Sequence, residues 1–281
     1  MSSQPEDKKP VKFGVMGKIE DYKQLIKFTL SFTVVFSSVI AYMLAPNVVE
    51  YDFGSILLLF LGGLLVTGSA NAINQITEKD TDAVMKRTGN RPVASGRMSV
   101  QEATAFAFIA AIVGSLILGL YFSWYAAGLA LLSLFIYSFV YTPLKKVNSI
   151  AVLVGAIPGA LPPLIGYVAA HGFIDDVALI LFGIQFVWQF PHFWAIAWVL
   201  DEDYKQAGFR LLPTTKRDRV SAIVTFVSTL ILIPVSILPF LYGFGGYYIL
   251  IVSIIAGILF SYQALVLVKN LDIKSAQKLM F

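Results

Sequence analysis

Residues 54–73, GSILLLFLGGLLVTGSANAI, contain no charged side chain. They are one of eight long apolar runs, at about 25–44, 54–73, 103–121, 124–141, 150–170, 177–199, 220–242 and 247–268. A bilayer crossing needs roughly 20 mostly apolar residues, so each run is long enough to span. In lipid every backbone polar group must be satisfied within the structure, which leaves helices or closed barrels. None of the runs alternates as barrel strands do, so the reading is an all-α membrane protein: a polytopic helical bundle around a central cavity, with eight transmembrane helices. Only 14% of residues are charged, against about 25% in soluble domains.

Lysine and arginine set the orientation. With a cytoplasmic N-terminus and eight crossings, all 21 basic residues fall on cytoplasmic segments, Lys8, Lys9 and Lys12 among them. The external loops hold only the acids Glu50, Asp52, Asp175 and Asp176. The basic pI is thus an orientation signal, and nucleic acid is not an expected partner. The N-terminal 24 residues mix both charge signs, unlike a cleavable leader. They are read as a cytoplasmic segment before one intramembrane domain, 25–281, in the cell (plasma) membrane. No cysteine is present, which excludes disulfides and thiolate chemistry.

A knot of charge breaks this apolar chain at NQITEKDTDAVMKRTGNRP, residues 74–92. Asn71, Asn74, Glu78 and Asp82 are spaced three, four and four apart, which puts them on one helical face. Asp80 points elsewhere. The plain alternative is a solvated helix end with an Asp82–Lys86 pair. Against it, Asn71 and Asn74 carry the polar stripe into the span, where polar groups are costly. Carboxylates and amides are hard oxygen ligands for Mg²⁺, which favours a few protein oxygens plus substrate phosphates. Arg87 and Arg91 follow at once, and guanidinium forks match phosphate oxygens. The combination reads as half of a magnesium–diphosphate site.

A second polar stripe, Gln185, Gln189 and His192, descends toward the acidic loop Asp201-Glu202-Asp203-Tyr204. Pro191 is expected to bend the helix. If the helix continues, Asp203 shares the face of His192. His171, at an external loop edge, is read as structural. The two acid-then-base loops stand four helices apart and so share a membrane side, which suggests an internal duplication. Lys145 and Lys146 lie on that side as well, either as ordinary orientation signals or as attractors for an anion.

These segments resemble the intramembrane (UbiA-type) prenyltransferases. NQITEKDTD with MKRTGNRP is similar to their first acidic motif. QFPHFWAIAWVLDEDYKQAGFRLLP, YTPLKKVNS and GAIPGALPPLIGY are similar to the protoheme IX farnesyltransferase branch. The resemblance implies farnesyl diphosphate and heme B as substrates and heme O as product. It also names the next enzyme of heme A synthesis as a candidate partner. It implies Asn74, Glu78, Asp82 and Asp203 as Mg²⁺ ligands and catalytic groups. Asn71, Arg87, Arg91, Lys145, Lys146, Gln189, His192, Asp201 and Tyr204 would be substrate-binding, with His192 on the heme side. Glu78 stands where many members have aspartate, and the second loop lacks a clean pair of aspartates. The family usually has nine spans, and this chain ends at SAQKLMF, where the ninth would start. A quinone-precursor acceptor, a transporter of an anionic solute and a non-catalytic assembly factor stay open as readings of the residues themselves.

Overall fold

The computed structural model describes residues 14–280. Lys8, Lys9 and Lys12 of the orientation argument lie outside the described residues. The described chain runs through α1 (Val15–Leu25), α2 (Phe28–Met43), α3 (Phe53–Thr77), α4 (Lys79–Val84), α5 (Val100–Tyr121) and α6 (Trp124–Phe135). A π-helical turn (Ile136–Tyr141) leads into α7 (Thr142–Leu144). Then follow α8 (Ala151–His171), α9 (Asp176–Val199), α10 (Asp201–Gln206), α11 (Arg219–Leu241), α12 (Tyr247–Asn270) and α13 (Ile273–Met280). Seven spans are long and apolar enough to cross a membrane, and α1 with α2 makes an eighth, bent by 53°. The expected spans are all present. Residues 273–280, where a ninth was expected to begin, form the short helix α13, packed on α9 and α12.

The centre of the bundle is α8, which packs on α2, α6 and α9. Its sequence explains the position. Pro158, Pro162 and Pro163 sit inside the helix. Proline removes a backbone donor and frees the carbonyl four residues earlier, so neighbours must supply replacements. Pro162 leaves the Pro158 carbonyl free, and Ser133 Oγ donates to it at 3.3 Å. Ser38 Oγ donates to the Pro162 carbonyl at 2.5 Å. Small residues then let backbones approach closely. A side chain at Gly166 would collide with the Ser38 carbonyl itself. Gly166→Leu is therefore expected to abolish folding into the bundle, because backbone cannot yield as a side chain can. Monodisperse elution from detergent-solubilised membranes and the thermal melt check this; a wild-type profile would refute the α2–α8 contact.

The proposed duplication has a structural counterpart. Asp52 caps α3, accepting from the Ser55 N–H at 2.7 Å, and Asp175 caps α9, accepting from the Ala178 N–H at 2.9 Å. α3 ends at Thr77, one residue breaks the helix, and the six-residue α4 follows. α9 ends at Val199, one residue breaks the helix, and the six-residue α10 follows. The breaking residues have nearly the same backbone: Glu78 at φ −98°, ψ 11° and Leu200 at φ −95°, ψ 14°. Both lie in the bridge region, common in active sites. The polar stripes therefore do not run on unbroken helices; one is interrupted at Glu78 and the other at Leu200.

Candidate active site

The stripe on α3 and α4 does two different jobs. Asn71 and Gln75 serve the break between α1 and α2. That break leaves carbonyls without intrahelical partners. Asn71 Nδ2 donates to the Ile26 carbonyl at 3.2 Å, and Gln75 Nε2 donates to the Gln24 and Leu25 carbonyls at 2.8 and 3.1 Å. Ser31 Oγ also donates to Ile26 O, at 2.6 Å, and accepts from Asn71 Nδ2 at 3.0 Å. Asn71, expected to face substrate, thus packs into the neighbouring backbone.

Asn74, Glu78 and Asp82 meet charge. Their exposures are 1%, 4% and 0%, so water does not screen them. Asn74 Nδ2 donates to Glu78 Oε2 at 2.8 Å and to Thr142 Oγ1 at 3.2 Å. Its Oδ1 accepts from Lys27 Nζ at 2.9 Å. Glu78 Oε1 pairs with Lys145 Nζ at 2.5 Å. Arg91 Nη1 reaches both oxygens of Asp82, at 2.8 and 2.7 Å. The Asp82 partner is thus Arg91, while Lys86, the alternative considered, is exposed like Asp80. Arg91 is brought back by the turn 85–92, where the Thr88 hydroxyl donates to the Asp82 carbonyl at 3.1 Å.

The segment YTPLKK ties this cluster to the second loop. Lys145 lies 4.9 Å from the Tyr141 ring centroid and 5.1 Å from that of Phe209. Its carbonyl accepts from the Arg210 N–H at 2.9 Å. Lys146 Nζ donates to Thr81 Oγ1 at 2.6 Å. Burial pushes the Lys145 ammonium below its usual range, and Glu78 opposes that shift. Gly155 makes room for Tyr141, since a side chain there would meet the Tyr141 ring at 2.6 Å. The π-helical turn precedes this segment, and such turns are frequent at functional sites.

On the second side, Tyr204 of α10 stands within electrostatic reach of Arg87, Glu78, Arg91 and Asp203. Burial pushes its phenol up, Arg87 opposes, and Glu78 adds to the rise. Tyr204 packs edge-on against Phe209, the ring that lies 5.1 Å from Lys145 Nζ. Asp201 is buried and turned inward on its own loop, 2.7 Å from Lys205 and 3.4 Å from Arg217. Gln189 is buried against α8, its Nε2 donating to the Ala156 carbonyl at 3.1 Å and to Gln185 O at 2.9 Å. His192 stacks on Trp188 at 4.9 Å, with Nδ1 3.0 Å from the Met280 carbonyl. His171 pairs with Asp175 at 3.3 Å, a structural contact.

Among the described residues, no three of His, Asp or Glu gather tightly enough to hold a metal by themselves. Glu78, Asp82 and Asp203 thus do not form one closed ligand set. The donors nevertheless suit Mg²⁺. They are hard oxygens, and a site with few protein ligands leaves coordination positions for phosphate. The local balance points the same way: Lys27, Arg91 and Lys145 stand against only Glu78 and Asp82. Three basic side chains set against two buried carboxylates leave hydrogen-bond donors for an anion.

Residues 33–281 match the UbiA prenyltransferase family. The protoheme IX farnesyltransferase of Cytophaga hutchinsonii is 46% identical, covering 94% of this chain and 92% of that protein. The protoheme IX farnesyltransferase of Flavobacterium psychrophilum is also 46% identical, covering 92% and 88%. Among solved structures, one of a digeranylgeranylglyceryl phosphate synthase superposes with a TM-score of 0.78 at 24% identity, covering 94% of this chain and 92% of that one. A UbiA homologue from Archaeoglobus fulgidus, bound to DMAPP and Mg²⁺, superposes with a TM-score of 0.72 at 13% identity, covering 92% and 99%.

Proposed function

Because the chain belongs to the UbiA prenyltransferase family, in its protoheme IX farnesyltransferase branch, we propose that it transfers the farnesyl group of farnesyl diphosphate to a vinyl group of heme B, forming heme O. The observation that carries this reading is the group of three basic side chains set against two buried carboxylates on an Asn–acid–acid stripe. Asn74, Glu78 and Asp82 would hold Mg²⁺, with Asp203 on the facing loop. When bound, the ion offsets charge on the departing diphosphate.

The chain's own residues do the rest. Arg91 and Lys145 turn from carboxylate partners to diphosphate oxygens, with Arg87 and Lys146 at the rim. The bond between farnesyl C1 and the diphosphate oxygen breaks, and the electron pair leaves with diphosphate. The vinyl terminus of heme B bonds to C1. Water adds at the other vinyl carbon and loses a proton, which gives the hydroxyethylfarnesyl group. Tyr137 and Tyr141, paired at 5.5 Å, offer ring faces to cationic carbon and keep early water away. With His192 Nδ1 engaged by Met280 O, Nε2 is the nitrogen left for the porphyrin side.

The several apolar spans make this a multi-pass membrane protein. The site lies on the cytoplasmic side of the plasma membrane in this reading, and the next enzyme of heme A synthesis is a partner to test. The decisive assay gives membranes holding the protein heme B, farnesyl diphosphate and Mg²⁺, with an EDTA control. Mass spectrometry of the heme pool should find a magnesium-dependent species heavier by one farnesyl group plus one hydroxyl group. Prenylation of an aromatic acid in place of heme would replace the acceptor; no prenylated product of either kind would overturn the reading.

A further inference from the structure

Lys27 is the one cation of the cluster that has no carboxylate. Among the described residues, its ammonium bonds only neutral groups: Asn74 Oδ1 at 2.9 Å and the Tyr137 hydroxyl at 3.4 Å. Arg91 and Lys145 are both answered by an acid. Lys27 is half-buried, its ammonium turned to the cluster by these two bonds.

Its backbone is equally unusual. Lys27 sits at φ 49°, ψ 57°, the left-handed region, between α1 and α2. A residue with a Cβ is strained in that conformation, and glycine would not be. The surroundings hold the strained turn in place. Asn71, Gln75 and Ser31 occupy the carbonyls of Gln24, Leu25 and Ile26, one after another. A strained backbone kept by such a cradle points to a side chain needed at that spot.

We infer that Lys27 is a diphosphate-binding residue and that the break between α1 and α2, cradled by Asn71 and Gln75, delivers its ammonium to the site. Asn71 and Gln75 are then positioning residues, acting through Lys27. This rests on the diphosphate reading above but not on the identity of the acceptor.

The test uses inorganic pyrophosphate with Mg²⁺ on purified full-length protein, read by calorimetric titration without heme. Lys27→Met and Lys27→Gly should each weaken pyrophosphate binding by 10-fold or more, on the order of one lost charge-assisted contact. Lys27→Arg should recover most of the affinity. Lys27→Gly should also melt at or above the wild-type temperature, because glycine relieves the left-handed backbone. That combination of firmer fold and weaker binding is something a merely structural lysine would not give. Binding within twofold of wild type in Lys27→Gly would overturn the inference. If the wild type binds pyrophosphate in a Lys27-dependent way yet farnesylates no heme, the acceptor assignment fails and Lys27 stands. If the wild type binds no pyrophosphate at all, both fall.

Discussion

Asp82→Asn should leave a folded protein whose turnover is at least ~10³-fold below wild type, in line with losing a central electrostatic group. The side chain is fully buried and both of its oxygens are taken by Arg91. Asparagine keeps the shape and one acceptor but not the charge. Arg91 then loses the anchor that aims it, and the metal loses an anionic ligand. Folding should cost only about 1–2 kcal/mol, as for a weakened buried hydrogen bond. Product formation followed by mass spectrometry, alongside a thermal melt, separates the two effects. Turnover near wild type in this variant would sink the assignment of Asp82.

Lys145→Met should be the more damaging change for stability. It strands Glu78, 4% exposed, with Asn74 as its one hydrogen-bond donor. Breaking a buried pair from one side costs about 3–5 kcal/mol. Adding Glu78→Gln removes the stranded charge, so the double variant should regain most of the lost stability while activity stays absent. Melts of the four proteins in one detergent give the coupling, expected above about 1 kcal/mol. Additive losses would mean that the pair does not hold the site together.

The spans were legible because the bilayer imposes a length and forbids charge, and each uncharged run became a helix. The pairing of the two acidic loops was legible too, because helix parity alone puts both on one side. Other features hide from that kind of reading. Lys27 counts as one more basic residue on the positive side until its backbone and neighbours are seen. Asn71 lies on the same stripe as Asn74, yet one cradles a broken helix and the other meets Lys27 and Glu78. Spacing gives the face of a helix and not what stands opposite it. Gln75 shares the face of Asn71 by count, but its role depends on where α1 ends. Lys145 reads from the sequence as either an orientation signal or a site residue, and its contact with Glu78 at 2.5 Å shows only once the fold is known. The one-residue breaks at Glu78 and Leu200 carry no proline or glycine to announce them.

Those two breaks differ in a way that matters for ancestry. The same helix break is made twice, but one half places a carboxylate at the corner and the other a leucine. Two halves descended from one duplication would be free to divide their labour. The half with the acidic corner is bound by the chemistry of the leaving group, which every donor shares. The half with the apolar corner shares that duty only through Asp203, and the rest of it can drift toward whatever molecule must be received. Change of acceptor over evolutionary time is then expected to be written in the second half of the chain, with the first half inherited almost intact.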